Sequence, residues 1–81
     1  MNEFNIGDTV TLLADGPKDL YKGDVGTIVG FDPPANEVAV DWGKDMFYGH
    51  SCGGLCLDGH GWWVDPIDLK LGEHSYKDEI L

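Results

Sequence analysis

The sequence predicts an all-β fold, a single small barrel of about five strands. Three observations predict it. Glycine (12 residues) and proline (4) punctuate the chain at short intervals. The apolar segments between them are short, and several alternate with the period of two that sends side chains to opposite faces of a strand. No segment carries the longer period of an amphipathic helix, and the chain shows neither an internal repeat nor a low-complexity tract.

The elements follow in order. "GDTVTLLA" (7–14) alternates around Val10 and Leu12 and forms the first strand. "DGPKDLYKGDVG" (15–26) is a long polar excursion. "VGTIVGF" (25–31) is the second strand, with Gly26 and Gly30 marking the bends or bulges that a small barrel needs. "DPPAN" (32–36) is a turn, because its two prolines cannot donate to a ladder and Asn36 tolerates left-handed backbone. "EVAVDW" (37–42) is the clearest strand, with Val38, Val40 and Trp42 on one face and Glu37, Ala39 and Asp41 on the other. A glycine-rich loop precedes the fourth strand, "GWWVD" (61–65). "PIDL" (66–69) is a single 3₁₀ turn and "KL" (70–71) a short fifth strand. The core is expected from Val10, Leu12, Ile28 or Val29, Val38, Val40 and one of Trp62 and Trp63. Five short strands, a long first loop and a 3₁₀ turn before the last strand outline an SH3-like barrel over residues 1–71, followed by a flexible polar tail over 72–81.

A chain of 81 residues supports one domain with a thin core, burying about 60% of its unfolded surface. Fifteen acidic residues face five lysines and no arginine, a formal net charge of -10. That balance repels phosphate backbones and anionic membranes, so neither nucleic acid nor a membrane is expected as a partner. It solvates the surface, and a partner, where there is one, should be basic. The opening "MNEFNIGD" has neither the basic nor the apolar region of a signal peptide, and no apolar run reaches membrane-spanning length. The expected setting is the cytoplasm, where cysteines are free thiols or metal ligands more often than disulfides.

The stretches "GDTVTLL", "YKGDVGTIVGF" and "NEVAVDW" resemble the first half of small SH3-like barrels of the KOW-like and Mind bomb/Herc kinds, with a "GxVG" bend and a strand ending in "V-W". The second half, "GHSCGGLCLDGHGWWVDPIDL", is similar to short bacterial and phage-borne proteins described as Mind bomb SH3-repeat-like. The likeness covers about residues 6 to 71, and "GHGWWV" (59–64) is its most specific part. It implies an SH3-like barrel, and peptide binding as in the eukaryotic members.

The loop "YGHSCGGLCLDGHGWWV" (48–64) holds two histidines, two cysteines and five glycines. One reading takes His50, Cys52, Cys56 and His60 as four zinc ligands, since thiolates and imidazoles suit a tetrahedral site. Their pattern, H-x-C-x₃-C-x₃-H, matches no common knuckle spacing, and structural zinc usually joins separate segments. The other reading makes the cysteines small buried apolar groups and the histidines partners of backbone carbonyls, with Gly53, Gly54, Gly59 and Gly61 in left-handed conformations. This second reading is preferred, with no metal and no cofactor. Cys-x₃-Cys is not the spacing of a redox motif. Ser51 beside His50 makes no triad, because neighbours on a strand face opposite ways. The chain is therefore read as a non-enzyme.

Aromatic residues carry the remaining reading. Trp62 and Trp63 are consecutive in a strand, so one faces the core and the other faces out. The outward ring, with Trp42, Tyr48 or Phe47, would either form a peptide-binding surface rimmed by Asp41, Asp45, Asp58 and Asp65 or be covered by the long loop or the first loop. The sequence is thus read as a monomeric, non-catalytic module that binds a protein or basic peptide, with the zinc-stabilised barrel as the alternative.

Overall fold

The structure, a computed structural model, describes residues 4–16, 19–46 and 49–72. It is all-β. Strands β1 (Thr9–Leu12), β2 (Val25–Asp32), β3 (Glu37–Asp41), β4 (Gly61–Val64) and β5 (Leu69–Leu71) form one antiparallel sheet in the order β4-β3-β2-β1-β5. A 3₁₀ turn, Pro66–Asp68, separates β4 from β5, and no α-helix occurs among the described residues. No helix there is long and apolar enough to cross a membrane. Apart from Gly72, the expected tail lies outside the described residues.

Strand ends follow local chemistry. β1 starts later than expected because Gly7 adopts φ 96° and the Asp8 carboxylate accepts from the Asn5 N–H, closing a turn ahead of Thr9. β2 carries a bulge between Ile28 and Gly30, which leaves Val29 as the extra residue. The bulge decides between two core candidates: Ile28 is fully buried and Val29 only half-buried. Asp65 caps the 3₁₀ turn, its carboxylate accepting from the Ile67 N–H at 3.0 Å.

The core lies on one face of the sheet. Val10, Leu12, Ile28, Val38, Val40, Val64 and Leu69 come from all five strands, and Leu20, Trp42 and Met46 come from loops. Phe4, Phe31 and Trp62 pack against this cluster. Leu20 anchors the long first loop, which ties itself down through Gly16 N–H to Leu20 O, Lys22 N–H to the Asp15 carboxylate, and Gly23 N–H to Leu12 O. Burying a leucine so fully contributes about 1.5–3 kcal/mol, enough to hold an otherwise polar loop. The single buried polar residue of the described set, Thr11, donates its hydroxyl to Gly72 O at 2.7 Å.

Candidate functional site

The other face of the sheet follows from alternation along the strands. β3 presents Glu37, Ala39 and Asp41 there, and β4 presents Gly61 and Trp63 opposite Asp41 and Ala39. Beyond the bulge, β2 adds Gly30 beside Ala39 and Asp32 beside Glu37. An apolar row, Trp63–Ala39–Gly30, therefore crosses three strands between carboxylates at both ends. The described lysines, at 22, 44 and 70, stand on other elements, and Lys44 is turned to Asp24 at 2.7 Å and over the Tyr21 ring.

The connection from β3 to β4 folds back over this face. It is held at its base by Trp42 N–H to His60 O (2.8 Å), Met46 N–H to Gly59 O (2.9 Å) and a two-bond bridge between His50 and Gly61. The Ser51 carbonyl then collects the N–H groups of Gly54, Leu55 and Cys56, together with the Cys56 thiol at 3.6 Å. This single turn puts Cys52 and Cys56 side by side. Cys52, Gly53, Gly54 and Gly59 have positive φ, so three of the four glycines meet the expectation of left-handed backbone.

Gly61 departs from it. Its φ is not positive. What it provides is space: a Cβ there would come within 2.7 Å of both cysteine sulfurs and of the His50 carbonyl oxygen. Gly30 serves Leu55 similarly, since a Cβ at Gly30 would reach Leu55 Cδ1 at 2.6 Å. The loop seats itself where two strand residues lack side chains.

Both cysteines are free, Cys52 buried and Cys56 half-buried. Burial pushes the Cys52 thiol up to about 12, and the neighbouring Cys56 adds to the effect. Burial also raises Cys56, with the Asp41 charge as a further cause. Raised thiols are poor nucleophiles and behave as the small apolar groups that the sequence suggests.

The two histidines take different partners. His50 Nδ1 accepts from the Cys52 N–H at 3.0 Å while its ring packs on Trp62, centroids 5.1 Å apart. His60 lies between two carboxylates, 3.9 Å from Asp41 and 3.8 Å from Asp45. Neither binds a backbone carbonyl through its ring in the contacts above, which corrects that expectation: a buried amide and two nearby acids supply the partners instead. His50, Cys52, Cys56 and His60 are not gathered around one point. Among the described residues no group of three or more His, Cys, Asp or Glu side chains is arranged to hold a metal ion.

The expected aromatic surface needs correction as well. Trp42 is only 5% exposed and belongs to the core, because it continues the inward parity of Val38 and Val40 past the end of β3. Its indole N–H is buried without a hydrogen-bond partner among the described residues. Tyr48 and Phe47 lie outside the described residues. Neither Trp62 nor Trp63 is fully buried: Trp62 borders the core and Trp63 stands half-exposed on the opposite face. The division of the pair between two faces holds, but the burial of one ring does not, because β4 lies at the edge of the sheet, with only the His50 bridge to Gly61 on its outer side among the described residues. Leu55 (51% exposed) and Leu57 (70%), which the sequence reading passed over, extend the apolar surface from the loop.

Compared with known proteins, the chain matches no family model, no curated protein and no solved structure.

Proposed function

We propose that the chain is a small SH3-like barrel, akin to the bacterial and phage-borne members resembling Mind bomb/Herc repeats, and that it works without catalysis as a protein- or peptide-binding module. The strand order β4-β3-β2-β1-β5, with a 3₁₀ turn before the last strand, supports the barrel. The observation that carries the binding role is the half-exposed Trp63 on an edge strand, beside Ala39 and the exposed Leu55 and within a frame of Asp32, Glu37, Asp41 and Asp65. A flat ring buries area at little entropic cost, and the carboxylate frame selects basic partners and speeds their approach. So small a surface supports affinity of roughly micromolar or weaker. Two free thiols and the charge of -10 fit a cytoplasmic monomer.

The test is an NMR titration with extended peptides carrying lysine or arginine next to an apolar residue. The Trp63 indole should shift and Trp42, enclosed in the core, should not. Peptides that leave the Trp63 indole unmoved while the Trp42 indole responds would sink the assignment of this face.

A further inference from the structure

We infer that the partner is held as an added strand on the free side of β4, with a basic residue two positions before an apolar one. The inference rests on the peptide-binding reading above and specifies how the peptide is gripped. In an antiparallel ladder, hydrogen-bonded and non-hydrogen-bonded pairs alternate. Trp42 N–H donates to His60 O, so Val40–Trp62 and Val38–Val64 are the hydrogen-bonded pairs of β3 and β4. Ala39–Trp63 and Asp41–Gly61 are then the non-bonded ones. The N–H and C=O groups of Gly61 and Trp63 therefore point off the outer side of β4.

Gly61 meets His50 there, giving and accepting one bond at 2.7 and 3.0 Å. The rung goes no further among the described residues: Gly49 turns aside to donate to Met46 O, and Ser51 enters the thiol turn. The backbone of Trp63 has no partner on that side among the described residues. A donor and an acceptor from one residue, facing the same way, are what a single residue of an antiparallel strand satisfies at both ends. His50 already shows the geometry, one step along.

Side chains of an added strand alternate as those of β4 do. The residue opposite Trp63 would place its side chain on the outer face, against the indole, and an apolar one fits. Two residues earlier, the partner side chain stands opposite Asp65, with Glu37 on the next strand over. A lysine or arginine belongs there. Two residues later the place is taken by His50, so the partner must end or bend away. The readable order is basic–x–apolar, from N to C. A second copy of this chain is disfavoured as occupant, since each copy brings a net charge of -10 and the same carboxylates.

The experiment uses the full chain and three blocked peptides: one with Lys-x-Leu, one with Leu-x-Lys, and the first with its leucine amide N-methylated. The Lys-x-Leu peptide should shift the backbone amides of Trp63 and Asp65 and slow hydrogen exchange at Trp63. N-methylation should weaken binding about tenfold, the loss expected for one hydrogen bond denied to a buried partner, and the reversed order should bind more weakly than the first. If the Trp63 indole shifts equally with all three peptides, peptide binding stands and strand addition is overturned. If no peptide moves the indole, both readings fall. Concentration-dependent shifts at the Trp63 amide without peptide would assign the edge to self-pairing and overturn the proposal as well.

Discussion

β3 separates two surfaces built by different means. Val38 and Val40 face a cluster whose members come from every strand of the sheet, filled by branched and aromatic side chains. Ala39, one residue away and as fully buried, faces a covering made by a single local loop and by missing side chains at Gly30 and Gly61. The first surface excludes water by filling space, the second by leaving space for a backbone turn to settle. Packing of the first kind tolerates a loss of volume badly, and packing of the second kind tolerates a gain badly.

The largest expected effect breaks the first surface. Leu12→Ala removes a side chain 2% exposed, between Leu20 and Leu69, and should cost about 2–5 kcal/mol in urea unfolding. A loss under about 1 kcal/mol would mean that the core face relaxes as freely as the loop side. Gly61→Ala attacks the second surface with one added methyl group. It should cost about 1–3 kcal/mol and speed alkylation of Cys52 and Cys56 by iodoacetamide, because the turn above it must lift. An unchanged alkylation rate would show that the turn is not seated on Gly61.

The smallest effect concerns acidity. The folded Cys52 thiol titrates at about 12 against an ordinary value of 9.0, so folding favours the protonated form. Its contribution is fully present below the ordinary thiol range and is lost as pH rises from 9.0 towards about 12. The urea midpoint should fall over that window in the natural chain and fall less in Cys52→Ala. Equal slopes in the two proteins would place the thiol in a wetter setting than its burial indicates.

The same division decides what could be read in advance. The strands lie within one or two residues of the stretches that alternation and turn residues mark, because period and punctuation are local signals. Val10, Leu12, Val38 and Val40 are buried as their parity requires. Leu20 and Met46 carry no strand periodicity, each standing beside an aromatic residue (Tyr21, Phe47) in an otherwise polar loop, so parity gives no sign of their place in the core. Trp42 had the right parity for burial, yet its size and position before a loop also suited a surface ring. The outer face was least legible. A glycine in a strand announces a bend or a close approach without naming what approaches, and the turn that settles on Gly61 returns across nine residues in the case of Cys52. The thiol pair likewise leaves zinc ligation open as an alternative in the sequence, because spacing alone does not say that His50 and His60 take other partners.

Pairing of β1 with β5 has a consequence for how the chain reaches this state. Val10 stands opposite Leu71 and Leu12 opposite Leu69, and the Thr11 hydroxyl reaches Gly72 across 61 positions. β2, β3 and β4 can pair with neighbours close in sequence as they emerge during synthesis, but one side of β1 waits until almost the whole sheet has been made. Contacts of such long separation slow folding, since the loop must close before they repay it. Until then the nascent chain presents an unpaired strand edge, and its acidic repulsion serves to keep neighbouring nascent chains from pairing there.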